Sequence, residues 1–346
     1  MLAPATYLSA SITMIYNHLF EQIYQAVLEA QNIVTVSHRK PDGDTLGGSL
    51  GFYNYLLTIG KKIKPPTDPR RSSIGVTPFC TDKPGTMYNF MPGYFEITDN
   101  ADTLKNADLI CVFDAGDLRF ANIADLIDSL NPRPKIINFD HHAVNERFGN
   151  TNLVIEDACS TTDVVWRYLK YVKFSMTREV AICLLTGIIS DTSHFYNPAT
   201  SPQAFAISSE LIRAGANINV VARALLQNKS MDALRVWGIA LQRLRLNQET
   251  GVATTILEHE DIGDDELTQE SVEGLSNFLG GILRVKATMV LKSTKDGYVK
   301  GSLRTTRDDI DISKLAKHFG GGGHKKAAGF IIRGEIKDID GKWEIV

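Results

Sequence analysis

Three short apolar runs in the first 140 residues each end in side chains that bind metals. IVTV (33–36) leads into Ser37 and then His38-Arg39-Lys40-Pro41-Asp42-Gly43-Asp44. LICVF (109–113) is followed by Asp114, and KIINF (135–139) by Asp140-His141-His142. A later apolar segment, Gly187–Ser190, ends in Asp191 in the same way. Apolar, β-branched runs of this length predict strands buried on both faces. In an open α/β sheet, ligands bind beyond the carboxyl ends of the strands. These ends would therefore converge their acids and imidazoles on one crevice. A lone Asp at a strand end is ordinarily a helix cap, a lone His is ordinarily a satisfied polar group, and D-x-D alone is common. Capping alone does not account for three consecutive strand ends built this way.

The charge this would assemble is large. Asp42, Asp44, Asp114 and Asp191 would place four carboxylates in a small volume. Unpaired carboxylates in a cleft repel one another and resist desolvation. No run of Lys or Arg lies beside them in sequence to neutralise them. Two divalent cations would do so. Carboxylates with imidazoles form a borderline ligand set, which suits Mn²⁺ better than Ca²⁺ and is compatible with Mg²⁺ or Co²⁺.

The elements that must position these groups follow from periodicity. Residues 16–31 carry apolar residues at helical spacing, and 45–59 read as a helix closed by Gly60. Residues 61–75 read as loop with one strand. Helices are expected at 161–171 and 178–190, and several more across 203–244. From about 245 the pattern turns to strands, GVATTILE (251–258) and ATMVLKS (287–293). The fold class expected is α/β: an N-terminal doubly wound, mainly parallel sheet domain (1–216), a helical connector (217–244) and a smaller C-terminal α/β domain (245–346).

Composition is that of a globular chain, with 43% hydrophobic and 22% charged residues among 346, enough for two domains. No apolar run reaches membrane-span length. The opening MLAPATYLSASITM lacks a basic flank, so no signal peptide is read. Cys80, Cys111, Cys159 and Cys183 lie far apart without a C-x-x-C pair, which suits a reducing cytoplasm and argues against cysteine-bound zinc. Net charge is −3, but residues 284–333 hold twelve Lys/Arg against four Asp, leaving that segment at +8 and the remainder at −11. An acidic body would gather cations and a basic segment anions. For charge runs in general, a solvated face is the ordinary explanation.

H-x-x-P-D-x-D, a strand ending in Asp, D-H-H and G-x-x-x-D-T together resemble the DHH phosphoesterase superfamily. The run GGGGHKKAAG (320–329) is similar to the signature of the DHH-associated substrate-binding domain, as found in the oligoribonuclease/pAp phosphatase branch. The resemblance covers nearly all of the chain after residue 16. It implies that His38 and Asp42 bind one metal, that Asp44, His141 and Asp191 bind the other, and that Asp114 bridges them. It further implies that Asp140 orients its neighbours and that His142 faces the scissile phosphate as hydrogen-bond donor or leaving-group acid. Asp191-Thr192-Ser193 stands where relatives carry D-T-G, so a changed turn with retained ligation is expected.

In the C-terminal domain, Arg304 matches a family arginine that contacts substrate, and its fork suits phosphate. Gly320 to Gly323 could wrap an anion with backbone N–H groups. Gly321, Gly322, Gly323 and His324 are accordingly expected to bind substrate, with Lys325 and Lys326 adding charge and Ala327-Ala328-Gly329 starting a helix. A flexible turn with solubilising lysines is the plainer explanation, but four glycines followed by His and a small-residue helix start are too particular for it. For Arg119 and Lys40, beside the metal motifs, a phosphate contact and a surface role stand about equal.

Two-metal chemistry would acidify a shared water for in-line attack on phosphorus. The glycine-rich motif argues against the pyrophosphatase branch, and the length against a long-strand exonuclease. Overall acidity disfavours a stable complex with long nucleic acid. The substrate expected is a short oligonucleotide, a linear or cyclic dinucleotide, or a nucleoside 3′,5′-bisphosphate (pAp). No membrane partner is expected, and a homodimer is a family-based expectation. Two other readings stand beside this one: a pyrophosphate or polyphosphate hydrolase, and a non-catalytic RNA-binding protein, which would need a decayed metal site.

Overall fold

The structure, a computed structural model, describes residues 10–60, 62–63, 75–197, 199–226, 231–263, 274–323, 325–339 and 342–346. The chain forms two compact units, Met1–Leu226 and Gln227–Val346.

The first unit is built on a six-stranded parallel sheet. Its strands are β1 (Asn32–Ser37), β2 (Lys62–Ile63), β3 (Gly75–Phe79), β4 (Leu109–Phe113), β5 (Lys135–Asp140) and β6 (Thr151–Val154), in the order β2-β3-β1-β4-β5-β6. Apart from Lys62–Ile63, residues 61–75 lie outside the described part until β3 begins. The helices are α1 (Ala10–Glu29), α2 (Gly43–Thr58), the one-turn α3 (Asp102–Lys105), the short α4 (Ala124–Asp128), α5 (Thr161–Tyr171), α6 (Arg178–Asp191), α7 (Pro202–Arg213) and α8 (Ile218–Leu226). Alternate residues of each strand feed opposite cores, which is why the central strands read as unbroken apolar runs. In β4, Leu109, Cys111 and Phe113 join α1, α2, α5 and α6 on one face, while Ile110 and Val112 pack with Ile123 and Ile127 on the other.

The chain leaves β1 toward β3 on one side and returns to β4 on the other. The gap between β1 and β4 is therefore a topological switch point, where open α/β sheets bind ligands. Register places the strand ends level. Ser37 pairs with Phe113 and Phe113 with Phe139, so His38, Asp114 and Asp140 emerge side by side.

Helices α2 and α6 approach closely because their contact is made of glycine. A Cβ on Gly47 would lie 2.6 Å from the Cys183 carbonyl, and one on Gly187 would lie 2.6 Å from an Asp44 carboxylate oxygen. The start of α2 and the end of α6 are thereby brought to the same crevice.

The second unit carries α9 (Met231–Gln242), β7 (Arg245–Asn247), β8 (Val252–Leu257), the one-turn α10 (His259–Ile262), α11 (Leu275–Ile282), β9 (Ala287–Ser293), β10 (Tyr298–Arg304), α12 (Ile312–His318), β11 (Gly322–Gly323) and β12 (Ala327–Arg333). Its mixed sheet runs β11-β12-β10-β9-β8-β7, and a separate hairpin joins β13 (Ile336–Ile339) to β14 (Lys342–Ile345). The segment 217–244, expected as a connector, is divided: α8 belongs to the first unit and α9 to the second.

One expectation is overturned here. Ala327-Ala328-Gly329 does not start a helix; it opens β12, which pairs antiparallel with β10 over seven residues. The reason is the alternation that follows. Ala328 and Phe330 are buried, and the Phe330 ring fills the space over Gly301, where a Cβ would meet it at 2.2 Å.

Candidate metal centre

The strand ends and the two helix ends bring six side chains together in two sets. His38, Asp42 and Asp114 each present a donor atom within 4.8 Å of the others, and so do Asp44, His141 and Asp191. Both imidazoles are anchored through Nδ1, His38 to the Arg39 carbonyl at 2.7 Å and His141 to the Ala158 carbonyl at 3.3 Å. Donation from Nδ1 leaves Nε2 as the nitrogen that could hold a cation. His38 Nε2 lies 3.5 Å from Asp114 Oδ2 and 3.9 Å from Asp42. His141 Nε2 lies 3.4 Å from Asp191, 3.7 Å from Asp114 Oδ1 and 4.0 Å from Asp44. Most of these separations are too long for hydrogen bonds. They leave room between donors for a cation with ligand distances near ~2.0–2.2 Å. Asp114 thus offers one carboxylate oxygen to each set.

Electrostatics agree with that fit. Burial, with the nearby charge of Asp114, lifts the Asp44 carboxyl to about 7. Asp191 is also raised, through desolvation and the carboxylates of Asp44 and Asp114. For Asp114 burial acts upward, but the hydrogen bond from His38 and the neighbouring His charges prevail and hold it at about 2. Asp191 is moreover the last residue of α6, where the helix dipole disfavours an anion. Acids crowded in this way are short of positive charge, and divalent cations are the species that supply it.

Several of these residues have second duties. Asp42 is also the N-cap of α2, accepting from the backbone N–H groups of Asp44 and Thr45. Asp140, fully buried, accepts from the His141 and His142 backbone N–H groups and from His142 Nδ1 through Oδ1, and from Asn145 Nδ2 through Oδ2. Its Oδ1 is committed as acceptor to orienting the two histidines. The Asp140 contact, against the opposing effect of burial, raises the His142 pKa and fixes the proton of the neutral ring on Nδ1.

Sequence reasoning missed the start of α5. Ser160 caps that helix, and the Thr161 and Thr162 N–H groups reach the two Asp44 oxygens at 2.6 and 3.1 Å. The Thr162 hydroxyl adds a bond to Asp44, and the Thr161 hydroxyl donates to Asp114 at 3.0 Å. A helix was expected at 161–171, and an S-T-T-D start is a capping signal; its meeting with Asp44 across 117 residues leaves no such signal. Thr45 was missed as well. Its hydroxyl accepts from the His38 N–H and donates to the Phe113 carbonyl, tying two strand ends together.

The turn after Asp191 runs through left-handed backbone, with φ of 49° at Ser193, 61° at His194 and 64° at Phe195. Ser193, expected to alter this turn, therefore holds a conformation that glycine adopts without strain. Lys40 has a positive φ and an N–H held by Asp82, and the Arg119 side chain is exposed.

In the second unit, Arg304 Nε donates to Asn277 at 2.6 Å and Nη1 to its neighbour's carbonyl. The glycines have a packing reason of their own. A Cβ on Gly321 would lie 2.1 Å from the Gly329 carbonyl, and one on Gly323 would lie 2.5 Å from Ala328. Gly322 faces open space, and His324 lies outside the described residues.

Comparison with known proteins agrees with this geometry. Residues 32–188 match the DHH family N-terminal domain, and residues 249–340 match the DHHA1 domain. The bifunctional oligoribonuclease and PAP phosphatase NrnA of Thermus thermophilus is 28% identical over 91% of this chain and 87% of that protein. A probable bifunctional oligoribonuclease and PAP phosphatase of Streptococcus mutans is 24% identical over 90% of this chain and 92% of its own length. The crystal structure of an exopolyphosphatase-related protein from Bacteroides fragilis superposes with a TM-score of 0.80 at 25% identity, covering 91% of each chain. A parallel α/β domain with paired His/Asp donor sets at its switch point defines a metal-dependent phosphoesterase. The chain belongs to the DHH family of these hydrolases and carries the family's DHHA1 domain behind the DHH domain.

Proposed function

We propose that this enzyme hydrolyses phosphate esters of small nucleotides: short oligoribonucleotides, dinucleotides or pAp. The observation that carries the reading is Asp114, one oxygen of which faces each donor set. His38 and Asp42 would hold one cation, Asp44, His141 and Asp191 the other, with Asp114 shared. Divalent cations, if held by these residues, would supply Lewis acidity for activating water and positive charge against the phosphoryl oxygens, with Mn²⁺ best suiting the ligand set. The chain's own residues do the remainder. His142, with its Nδ1–H tied to Asp140, would donate from Nε2 as the imidazolium to the phosphoryl or leaving oxygen, the Asp140 contact favouring that protonated form. Arg304 and the Gly321–His324 loop contribute affinity for the nucleotide rather than chemistry. The names of the two bifunctional relatives support this substrate class. Among the described residues no helix is long and apolar enough to cross a membrane. All four cysteines are unpaired and buried, which suits a cytoplasmic setting.

The test is one substrate panel run with Mn²⁺: pApA, a short RNA ladder, pAp, pyrophosphate and polyphosphate. Turnover of pApA or pAp well above that of pyrophosphate and polyphosphate is expected. The reverse order would replace the reading with an inorganic-phosphate hydrolase. Metal binding without turnover of any member would point to a binding protein.

A further inference from the structure

Asn145 is a polar side chain beside the centre to which the reading above gives no role. Its Nδ2 donates twice, at 3.1 Å to the Ala115 carbonyl and at 2.5 Å to Asp140 Oδ2. Its Oδ1 accepts the Arg147 backbone N–H at 2.6 Å, which fixes which way the amide points. One planar group therefore spans the ends of β4 and β5.

Both ends need holding. On β4, Asp114 has a φ of 59°, a left-handed conformation that a non-glycine residue keeps only when its surroundings enforce it. The backbone there is held by the Asp114 N–H on the Phe139 carbonyl and by Asn145 on the Ala115 carbonyl, with the Thr161 hydroxyl on the Asp114 carboxylate. On β5, three donors on Asp140 Oδ1 come from the histidine pair, and Asn145 holds the opposite oxygen. Without Asn145 the carboxylate could rotate about its Cβ–Cγ bond, and His142 would lose the partner that orients it. The Glu146 N–H, bonded to the Gly116 carbonyl at 2.8 Å, joins the same two loops and would keep them together when the amide is removed.

We infer that Asn145 is a positioning residue, which aligns His142 through Asp140 and holds the shared ligand Asp114 through the Ala115 carbonyl. This rests on the phosphoesterase reading and on the donor role of His142 within it, but not on which natural ester is cleaved.

The test uses the full chain with bis-p-nitrophenyl phosphate at saturating Mn²⁺. Asn145→Ala lowers kcat ~10- to 100-fold and leaves KM within about threefold, the scale seen when a partner of a metal ligand is removed. Mn²⁺ affinity, measured by calorimetry, weakens about tenfold. In a His142→Ala background the same change costs clearly less in kcat than in the wild type, because the part of its effect that acts through His142 is gone and only the part that acts through Asp114 remains. Asn145→Asp keeps the size and the Arg147 contact but loses both donated bonds and sets a carboxylate against Asp140, so its loss of kcat is at least that of Ala, and it carries the test where Ala fails to fold. Full additivity with His142→Ala, or near wild-type kcat and Mn²⁺ affinity in Asn145→Asp, overturns the inference while leaving the phosphoesterase reading intact. Wild-type protein inactive on this ester and on the whole panel would remove both.

Discussion

Asp114 is the residue where backbone strain and chemistry coincide. A left-handed aspartate costs ~1–2 kcal/mol of conformational energy. It is maintained by the Thr161 hydroxyl on its carboxylate and by backbone contacts on either side. Because its two oxygens serve different donor sets, Asp114→Ala is expected to be the most damaging single change among the six donors. It should lower kcat/KM by more than ~10³-fold and reduce bound Mn²⁺ from two ions per chain, measured by plasma emission after desalting. Retention of near wild-type turnover would show that the donor sets act independently. His38 and His141 are each anchored through Nδ1 to a carbonyl, His38 by the adjacent Arg39 and His141 by Ala158, seventeen residues on, so only the first anchor is local in the chain.

At the scale of elements, the site depends on how closely α2, α5 and α6 meet. Gly187 lies where Asp44 and Thr162 pack against α6, and an added Cβ would come within 2.3 Å of the Thr162 methyl. Gly187→Ala should therefore displace the α5 start from Asp44, costing ~1–3 kcal/mol by overpacking. Activity should fall further than stability does, since Asp44 loses its three hydrogen bonds to α5. Thermal unfolding compared with turnover per folded molecule checks this. A Gly187→Ala enzyme with full activity and an unchanged melting temperature would mean that α6 can retreat without consequence. The reversal at Ala327 belongs to this scale as well. Small residues after a glycine turn are equally consistent with a helix start and with an inner strand. Only pairing with β10 and the packing of Phe330 over Gly301 decide between them.

At the scale of the molecule, charge gathers within each unit rather than dividing them: the basic run 284–333 is offset by acids elsewhere in the second unit, and the acids of the first unit crowd at its donor sets. In the first unit, acids crowded without cations should cost stability. Chelator-treated protein is expected to melt lower than protein with Mn²⁺. Free metal at about 100 times its dissociation constant would add ~2.7 kcal/mol, or several degrees for a domain of this size. A melting temperature indifferent to Mn²⁺ and chelator would contradict the electrostatic argument. In the second unit, Arg304 is held by Asn277 rather than paired with an acid among the described residues. Arg304→Ala should raise KM for pApA by roughly ten- to a hundredfold, the equivalent of a charge-assisted contact of ~1.5–3 kcal/mol. It should scarcely change turnover of bis-p-nitrophenyl phosphate. Equal damage to both substrates would make Arg304 a structural residue.

What the sequence by itself determined was local. The strands LICVF and ATMVLKS stand where their apolar and β-branched runs begin and end, because burial on both faces leaves no freedom in residue type. The candidate donors were legible because His38, Asp114 and His141 come at or just after strand ends that parallel pairing makes level, Asp42 and Asp44 lie in the short turn and helix start that follow His38, and Asp191 ends an apolar helix. What only the tertiary structure decided was which distant groups meet. The Asp44 bonds to Thr161 and Thr162 join residues more than a hundred positions apart. The Asn145 amide joins two loops, and the glycine contact of α2 with α6 sets the spacing of two helix ends. These are ordinary polar or small residues whose types fit many surface positions equally well. Their roles arise from side-chain packing and hydrogen-bond geometry across the fold, and neither leaves a periodic trace in the chain.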